Sequence, residues 1–361
     1  MDRIRVGVIG TSGIAMGVHL PAYAELPGVE IIAVCDIDEN SLQRAARQYN
    51  VPYAFTDYRE MLELKDLDAV TVATPNYLHA PITIAALNAG KHVLCEKPLA
   101  TNATEAQAMA DAAEQANRIL MVGVNNRFRD ESLKLKRVID SGGLGRIYAG
   151  RTGWVRRRGV PYWGAWFMEK AKAGGGPLID LGVHMLDLAW WLMGKPEPVS
   201  VVGATYHEIE NYHIVEWDTG DPVLSGTSAA RAQERKTYDV EDAAFAFIRF
   251  SNNATLSLAV TWALNTNKEH YYCDLYGNKA GASLWPLTVY GEQDGALTDT
   301  HIRVDEKVKS HKAEVAHFID CIRHGRMPIC PASDGVAVMR MLDALYESAA
   351  TGREVRLKDV M

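Results

Sequence analysis

The feature that most constrains this chain is the regular alternation of short apolar strands and helices over its first 125 residues. The first strand-like segment, residues 5–9, runs directly into a glycine turn at residues 10–15 that opens a helix. The next strand-like segment, residues 29–35, is followed directly by Asp36. A strand, a glycine turn and a helix, followed by an acid about 20 residues later, form the context that a dinucleotide-binding fingerprint requires. The alternation therefore predicts a doubly wound parallel sheet that binds a dinucleotide.

The glycine turn departs from the strict fingerprint at one position. Gly10 and Gly13 are present, but Ser12 stands where a strict match has glycine. A serine hydroxyl can donate to phosphate, although its Cβ takes up room, and a glycine turn without a ligand is the alternative. Asp36 lies where the adenosine ribose hydroxyls would be read. Ile37 and Asp38 follow it and no arginine does, so a 2′-phosphate would meet two carboxylates, and NAD is favoured over NADP.

Polar residues follow the later strands of this region. Residues 67–74, 91–95 and 119–124 are strand-like, and ligands bind beyond the carboxyl ends of such strands in a doubly wound sheet. The residues at that edge are Thr74, Pro75, Asn76, Glu96, Lys97 and Asn125. This topology predicts that Lys97 lies near the reacting end of the cofactor, and a solvated surface lysine is the alternative.

A second distinctive stretch begins with three glycines at residues 174–176 and Pro177. Proline suits the first position of a helix, and the apolar run that follows predicts a buried one. Asp180, His184 and Asp187 are spaced i, i+4 and i+7, which predicts one shared helix face. A carboxylate beside a histidine makes an acid–base site, and a buried pair that only stabilises the core is the alternative.

These motifs occur together in one order along the chain. They are the glycine turn at 10–15, Thr74-Pro75-Asn76 with His79, the segment 89–98 that contains Glu96-Lys97-Pro98, and the segment 174–184. With this combination the chain resembles the glucose–fructose oxidoreductase / inositol dehydrogenase / rhizopine catabolism (Gfo/Idh/MocA) family over essentially its whole length. The resemblance implies an N-terminal Rossmann domain at residues 1–124. It also implies a C-terminal α/β domain at residues 125–361, built on a large open, mainly antiparallel sheet.

The resemblance further implies a nicotinamide cofactor, a sugar-like or cyclitol substrate, and a cis bond at Lys97-Pro98. By this match Lys97, Asp180 and His184 form the catalytic set. The cofactor candidates are Gly10, Ser12, Gly13, Ile14, Asp36, Thr74, Pro75, Asn76, His79, Glu96, Lys97 and Asn125. The substrate candidates are Arg127 and three residues of an arginine- and aromatic-rich stretch, Tyr162, Trp163 and Trp166. Aromatic faces pack on apolar sugar faces, and a solvated basic turn beside a hydrophobic anchor is the alternative for this stretch.

Composition excludes several functional classes. The net charge of −7 over 361 residues argues against nucleic acid or an anionic membrane as the main partner. No apolar run approaches the length of a membrane span, and the N-terminus enters a strand-like segment without a signal peptide. The five cysteines are scattered without a C-x-x-C pair. They predict reduced thiols in a cytoplasmic protein and no metal site.

The C-terminal half contains strand-like segments at residues 243–250, 254–262 and 271–276. The segment 254–262 alternates with period two, which is typical of a half-buried antiparallel strand. A large sheet with one exposed apolar face needs covering, so two subunits are predicted to pack sheet to sheet in a homodimer or homotetramer.

The sequence thus favours an NAD-dependent dehydrogenase that oxidises a secondary alcohol of a sugar, sugar derivative or cyclitol. In this hypothesis His184 takes the hydroxyl proton, Lys97 stabilises the developing alkoxide and Asp180 orients the substrate. Redox-neutral glycoside cleavage with transient oxidation, or reduction of a keto-sugar, would use the same residues. A non-catalytic dinucleotide-binding regulator is the third hypothesis, because a fold alone does not establish a function.

Overall fold

The computed structural model describes residues 3–159, 166–208, 238–305 and 307–357, which divide into two compact units. Unit 1 contains the chain up to Asn125 together with Lys309–Ala337. Unit 2 contains Asn126–Val308 and the chain from Val338 onward. Residues 309–337 thus lie in unit 1, whereas the predicted domain boundary places them in the C-terminal domain. Helical periodicity shows that these residues form helices, but it does not show which sheet they cover.

The helices are described here for both units, numbered along the chain. They are α1 (Leu20–Ala24), α2 (Glu39–Gln48), α3 (Tyr58–Leu62), α4 (His79–Asn88), α5 (Ala103–Ala116), α6 (Asp130–Asp140), α7 (Lys170–Ala173), α8 (Val183–Leu192), α9 (Ser310–His324) and α10 (Ala332–Thr351). Two π-helical segments, Ala15–His19 and Leu178–Gly182, precede α1 and α8. Asp38 and Asn102 cap α2 and α5, where their side chains accept from backbone N–H groups at 3.0 and 2.9 Å.

The sheet of unit 1 confirms the predicted doubly wound architecture. Its strands are β1 (Ile4–Ile9), β2 (Val29–Cys35), β3 (Tyr53–Phe55), β4 (Ala69–Val72), β5 (His92–Glu96) and β6 (Leu120–Gly123). All pairs are parallel, in the order β3-β2-β1-β4-β5-β6. The order reverses between β1 and β4, so their carboxyl ends form the switch point at which such sheets bind ligands.

The sheet of unit 2 is mixed and mainly antiparallel, as predicted. Its strands are β7 (Ile147–Val155), β8 (Pro198–Tyr206), β9 (Ala243–Phe250), β10 (Thr255–Thr261), β11 (His270–Gly277), β12 (Gly281–Leu284), β13 (Leu287–Gln293), β14 (Ala296–His301) and β15 (Val355–Arg356). Their order is β14-β13-β12-β11-β7-β10-β9-β8-β15. Only β7 and β10 pair in parallel among the described strands of this sheet.

The two faces of the unit 2 sheet differ. One face packs on α8, where the Thr152 hydroxyl on β7 donates to the Met185 carbonyl at 3.3 Å. The other face carries large apolar side chains that stay exposed, which we call the open face. They are Val202, Tyr206, Phe245, Phe247, Tyr276 and Tyr290, each between 38% and 48% exposed. The strand registers place these residues on one side of the sheet. Val202 lies opposite Phe247, and both Tyr276 and Tyr290 lie opposite Gly281.

Candidate active site

The glycine turn after β1 is shaped for close approach of a ligand. Gly10 has φ +86°, and a Cβ there would lie 2.6 Å from the Ala73 carbonyl oxygen, so only glycine fits. Ser12 and Gly13 are exposed, so the serine side chain is accommodated within this unit. The π-helical segment starts immediately afterwards, at Ala15. The N-terminus of a helical segment suits the pyrophosphate of a dinucleotide.

Asp36 at the end of β2 is connected to this turn. Its Oδ2 accepts from the Thr11 backbone N–H at 2.6 Å and from the Thr11 hydroxyl at 2.9 Å. Its Oδ1 accepts from the Asp38 N–H at 2.9 Å. A carboxylate has about four acceptor sites, so Asp36 keeps capacity for a ribose hydroxyl. The position fits the ribose-reading role predicted for it.

The ends of β4 and β6 supply further polar groups. The Thr74 hydroxyl oxygen is buried and has no hydrogen-bond partner among the described residues. A buried orphan hydroxyl is costly, so a bound polar ligand at this edge would satisfy it. Pro75 precedes the short 3₁₀ turn Asn76–Leu78, and Asn125 donates to the Ser310 hydroxyl at 3.1 Å. Together with Gly10 and Asp36, these groups fit a dinucleotide.

Lys97 is half-buried in a turn at the carboxyl end of β5, and its bond to Pro98 is cis, as predicted. Glu96 lies immediately before it. One Glu96 oxygen accepts from the Lys97 backbone N–H at 3.2 Å, and the other lies 2.6 Å from His19 Nε2. Burial acts to raise the pKa of Glu96, but the His19 hydrogen bond and the charges of His19, His311 and Lys97 outweigh it and hold that pKa at about 2.

His79 is 1% exposed, which favours a role behind the cofactor edge over the direct cofactor contact predicted for it. Its Nδ1 lies 2.7 Å from the Pro98 carbonyl oxygen and its Nε2 2.9 Å from the Thr74 carbonyl oxygen. Burial lowers the pKa of His79, although both carbonyl contacts act to raise it. The imidazole therefore links the chain after β4 to the turn after β5.

Asp180 and His184 are both half-buried, and they lie at a change of helix type. Asp180 belongs to the π-helical segment Leu178–Gly182, and His184 lies in the first turn of α8. The predicted helix begins where expected, after Pro177, but its first turn is wider than an α-helix. The Trp262 indole N–H, which is fully buried beyond the end of β10, donates to Asp180 Oδ2 at 3.0 Å.

Asp187 has a different role from Asp180, because it forms a buried ion pair with Arg127. The guanidinium donates to the two carboxylate oxygens at 2.8 Å (Nε) and 2.6 Å (Nη2), a bidentate pair. Arg127 is 0% exposed and Asp187 is 3% exposed. The predicted substrate contact of Arg127 needs correction on this ground, since the fully buried guanidinium holds α8 in place. For Asp187 the structure therefore supports the alternative to an acid–base role, namely a buried polar pair that stabilises the core.

Glu241, just before β9, forms hydrogen bonds to the segment that carries Asp180. Its carboxylate accepts from the N–H groups of Gly176 at 3.0 Å and Leu178 at 3.1 Å, and from the Tyr346 hydroxyl at 2.9 Å. Burial raises the pKa of Glu241, while these hydrogen bonds act to lower it. A Cβ on Gly176 would lie 2.1 Å from the Glu241 carbonyl oxygen, which explains the glycine there.

Of the three arginines in the predicted basic turn (Arg156, Arg157 and Arg158), only Arg156 is buried, at 6% exposure. Its guanidinium lies 4.6 Å from the centre of the Trp154 ring and donates to the Gly159 carbonyl at 3.1 Å. Burial lowers its pKa, and the nearby charges of Asp180 and Glu269 raise it. The solvated-turn alternative therefore holds for the exposed Arg157 but not for Arg156, which brings a positive charge toward Asp180.

The remaining predicted aromatic contacts are only partly described. Tyr162 and Trp163 lie outside the described residues. Trp166 stacks on Phe167 with ring centres 3.9 Å apart. Three residues of these surroundings were not predicted from the sequence, namely His19, Glu241 and Trp262. Trp262 could have been found from the period-two pattern of β10, because residues 256, 258 and 260 are buried and Trp262 continues that series.

Each unit thus carries polar groups of the kinds that oxidoreductases use. Unit 1 combines a glycine turn, an acid and a lysine at the ends of parallel strands, and unit 2 carries a half-buried carboxylate and imidazole. This arrangement defines the class of dinucleotide-dependent oxidoreductases. In the described parts of the chain, no helix is long and apolar enough to cross a bilayer, and no cluster of three His, Cys, Asp or Glu side chains is arranged for a metal ion.

Comparison with known proteins extends this assignment. Residues 4–124 match the Gfo/Idh/MocA oxidoreductase family, NAD-binding Rossmann fold, and residues 136–357 match its C-terminal α/β domain. The chain belongs to this family, and it is an oxidoreductase whose cofactor is NAD.

Named relatives act on sugars and cyclitols. D-glucoside 3-dehydrogenase of Escherichia coli (strain K12) is 33% identical over 359 residues, which cover 98% of this chain and 97% of the relative. Inositol 2-dehydrogenase of Salmonella typhimurium (strain LT2) is 26% identical over 358 residues, which cover 97% and 95%. The solved structure of levoglucosan dehydrogenase in complex with NADH and levoglucosan superimposes with a TM-score of 0.85 at 25% identity, covering 99% of this chain and all of that one (100%).

Proposed function

We propose that this protein is an NAD-dependent dehydrogenase that oxidises a secondary alcohol on the ring of a sugar, sugar derivative or cyclitol. The observation that carries the proposal is the combination, in one chain, of Lys97 at the cofactor edge of unit 1 with the half-buried Asp180 and His184 of unit 2. The relatives support it, because they are dehydrogenases of CH–OH groups on such rings.

The chain's own residues divide the acid–base work. His184 takes the proton of the substrate hydroxyl, because an imidazole has an ordinary pKa near neutrality. Lys97 donates to the same oxygen and stabilises the charge that develops on it. Asp180, oriented by Trp262, positions the substrate and favours the required protonation states. When bound, NAD supplies the hydride acceptor.

The cofactor contacts follow from unit 1. The glycine turn and the N–H groups of the following segment hold the pyrophosphate, and Asp36 accepts from the adenosine ribose. Thr74, Asn76 and Asn125 line the nicotinamide end of the strand edge. Asp36 and Asp38 repel a 2′-phosphate, so NAD is preferred over NADP.

The test is a panel of glucosides, anhydrosugars, free sugars, inositols and sugar acids, scored for NADH formation with NAD and NADP run in parallel. We expect NADH from at least one ring alcohol, with NAD preferred. A panel without any turnover would contradict a dehydrogenase. Product formed without net NADH would instead identify redox-neutral cleavage, and NADP preference would contradict the role of Asp36.

A Trp262→Phe variant tests how Asp180 is oriented. Phenylalanine keeps most of the buried ring volume but removes the N–H donor, and a hydrogen bond to a charged group is worth about 1.5–3 kcal/mol. We expect kcat to fall about tenfold, and the thermal midpoint to fall by several degrees because the hydrogen bond also contributes to stability. Trp190→Phe is the matched control, because the Trp190 indole is also buried but donates to the Pro196 carbonyl. Equal kcat values for the two variants would contradict the role.

We assign the open face of the unit 2 sheet to a homodimer or homotetramer interface. Six exposed apolar side chains on one sheet face form a patch that a second copy of this chain can cover. The assembly is proposed to work in the cytoplasm, because all five cysteines are buried free thiols.

A Phe245→Glu, Phe247→Glu double variant is expected to reduce the assembly to single chains. Two carboxylates at the centre of an apolar interface cannot be desolvated without partners. Sedimentation at micromolar concentration measures the mass of wild type and variant. Tyr53→Glu, on the exposed edge strand of unit 1 (49% exposed), is the control and should leave the mass unchanged. A wild-type mass equal to that of one chain would contradict the interface.

A further inference from the structure

We infer that two buried histidines, His19 and His79, are positioning residues for Lys97, acting from the two sides of the turn Glu96-Lys97-Pro98. The inference rests on the proposed role of Lys97 as the donor to the reacting oxygen. All contacts that carry it lie within unit 1. Neither histidine is proposed to touch substrate or to exchange a proton with it.

The His79 side of the turn is fixed through the backbone. Its ring nitrogens lie 2.7 and 2.9 Å from the carbonyl oxygens of Pro98 and Thr74. Thr74 follows β4 and Pro98 follows β5, and these strands are neighbours in the sheet. A single imidazole therefore sets the spacing between the turn that carries Lys97 and the adjacent edge of the cofactor site.

The His19 side of the turn is fixed through Glu96. His19 is 0% exposed, at the end of the π-helical segment that follows the glycine turn. The Glu96 carboxylate can only accept when ionised, so His19 Nε2 carries the proton that it donates at 2.6 Å. The second Glu96 oxygen accepts the Lys97 backbone N–H at 3.2 Å. His19, at the end of the π-helical segment, thereby positions the Lys97 backbone through two hydrogen bonds.

The need for side-chain contacts follows from the turn itself. Pro98 has no N–H, so it cannot donate a backbone hydrogen bond that would hold the turn. Lys97 has a flexible four-carbon side chain, and the direction of its backbone decides where the ammonium can reach. Displacement of a reacting group by about 1 Å can cost about 10²-fold in rate. Burying two imidazoles beside a carboxylate is costly for a core that only needs filling.

The experiment measures kcat and KM for His79→Leu and His79→Gln, each with and without Lys97→Met. We expect His79→Leu to lower kcat about 10²-fold while KM for NAD stays within about threefold. His79→Gln, whose amide can still donate to a carbonyl, should recover about tenfold of that loss. In the Lys97→Met background the same His79 changes should alter kcat less than about threefold, because no ammonium remains to be positioned.

His92→Gln is the matched control, since His92 lies at the opposite end of β5 from Glu96 and accepts from the Ile119 N–H at 3.0 Å. It should leave kcat unchanged. Equal losses from His79→Leu in both backgrounds, or no loss in either, would overturn the inference. If Lys97→Met alone keeps full kcat, the proposed role of Lys97 in the reaction fails instead. If His79→Leu does not fold, kcat is measured for His79→Gln and His19→Gln. Wild-type kcat in both variants would overturn the inference.

Discussion

Replacing His184 by asparagine is expected to lower kcat by about 10²–10⁴-fold, the range over which a positioned acid or base accelerates proton transfer. Asparagine keeps a polar side chain of similar reach, but it has no group that titrates near neutrality. Because the cofactor residues belong to unit 1, NADH affinity should be unchanged. Steady-state kinetics on the best alcohol of the panel, together with NADH fluorescence titration, measures the two quantities.

The matched control is His207→Asn. His207 lies in the same unit, is exposed, and its Nδ1 lies 2.7 Å from the Val240 carbonyl oxygen. This variant should keep wild-type kcat and KM. A His184→Asn enzyme with unchanged turnover would exclude His184 as the base, and a parallel loss of NADH binding would indicate a general disturbance of the fold.

Lys97→Met is the second large effect, with kcat expected to fall by about 10²–10³-fold, the loss seen when a donor to a developing oxyanion is removed. Methionine keeps the length and apolar stem of the side chain but removes the ammonium. The interaction strengthens as charge builds on the substrate oxygen, so kcat should fall more than KM rises. Steady-state kinetics and NADH titration separate the two contributions.

Lys65→Met serves as the charge-matched control, because Lys65 is an exposed lysine of the same unit. It removes one positive charge from the surface and should leave kcat and KM unaltered. A Lys97→Met variant that raised KM at constant kcat would show binding of the ground state alone. That outcome would remove Lys97 from the chemistry and leave it as a substrate contact.

The fold was largely predictable because hydrophobic periodicity is a local signal. The segment 29–35 predicted β2 at its observed bounds, and the alternation around it predicted the parallel sheet of unit 1. Period-two alternation likewise predicted β10, and the family resemblance implied the mainly antiparallel sheet of unit 2. The packing of residues 309–337 in unit 1 was not predictable in this way, because amphipathic helices carry no local signal for the sheet that they cover.

The site was predictable only where chain topology brings residues to an edge. Lys97 follows β5, and Asp180 and His184 share one short segment, so sequence position was sufficient to propose them. Trp262 and Glu241 contact that segment from 82 and 63–65 positions away, respectively. Such long-range contacts are determined by packing, and the periodicity of the sequence does not predict them.

The sequence by itself determined which residues can do chemistry, since residue type and strand order are enough to place a glycine turn, an acid and a lysine at one sheet edge. Tertiary structure decided which polar residues stabilise the core and are not available for chemistry. Asp187 and Asp180 have the same side chain on the same stretch, yet Arg127 neutralises one while Trp262 orients the other. A charge taken out of water must find a partner, and that partner is chosen by neighbours in space that are distant along the chain.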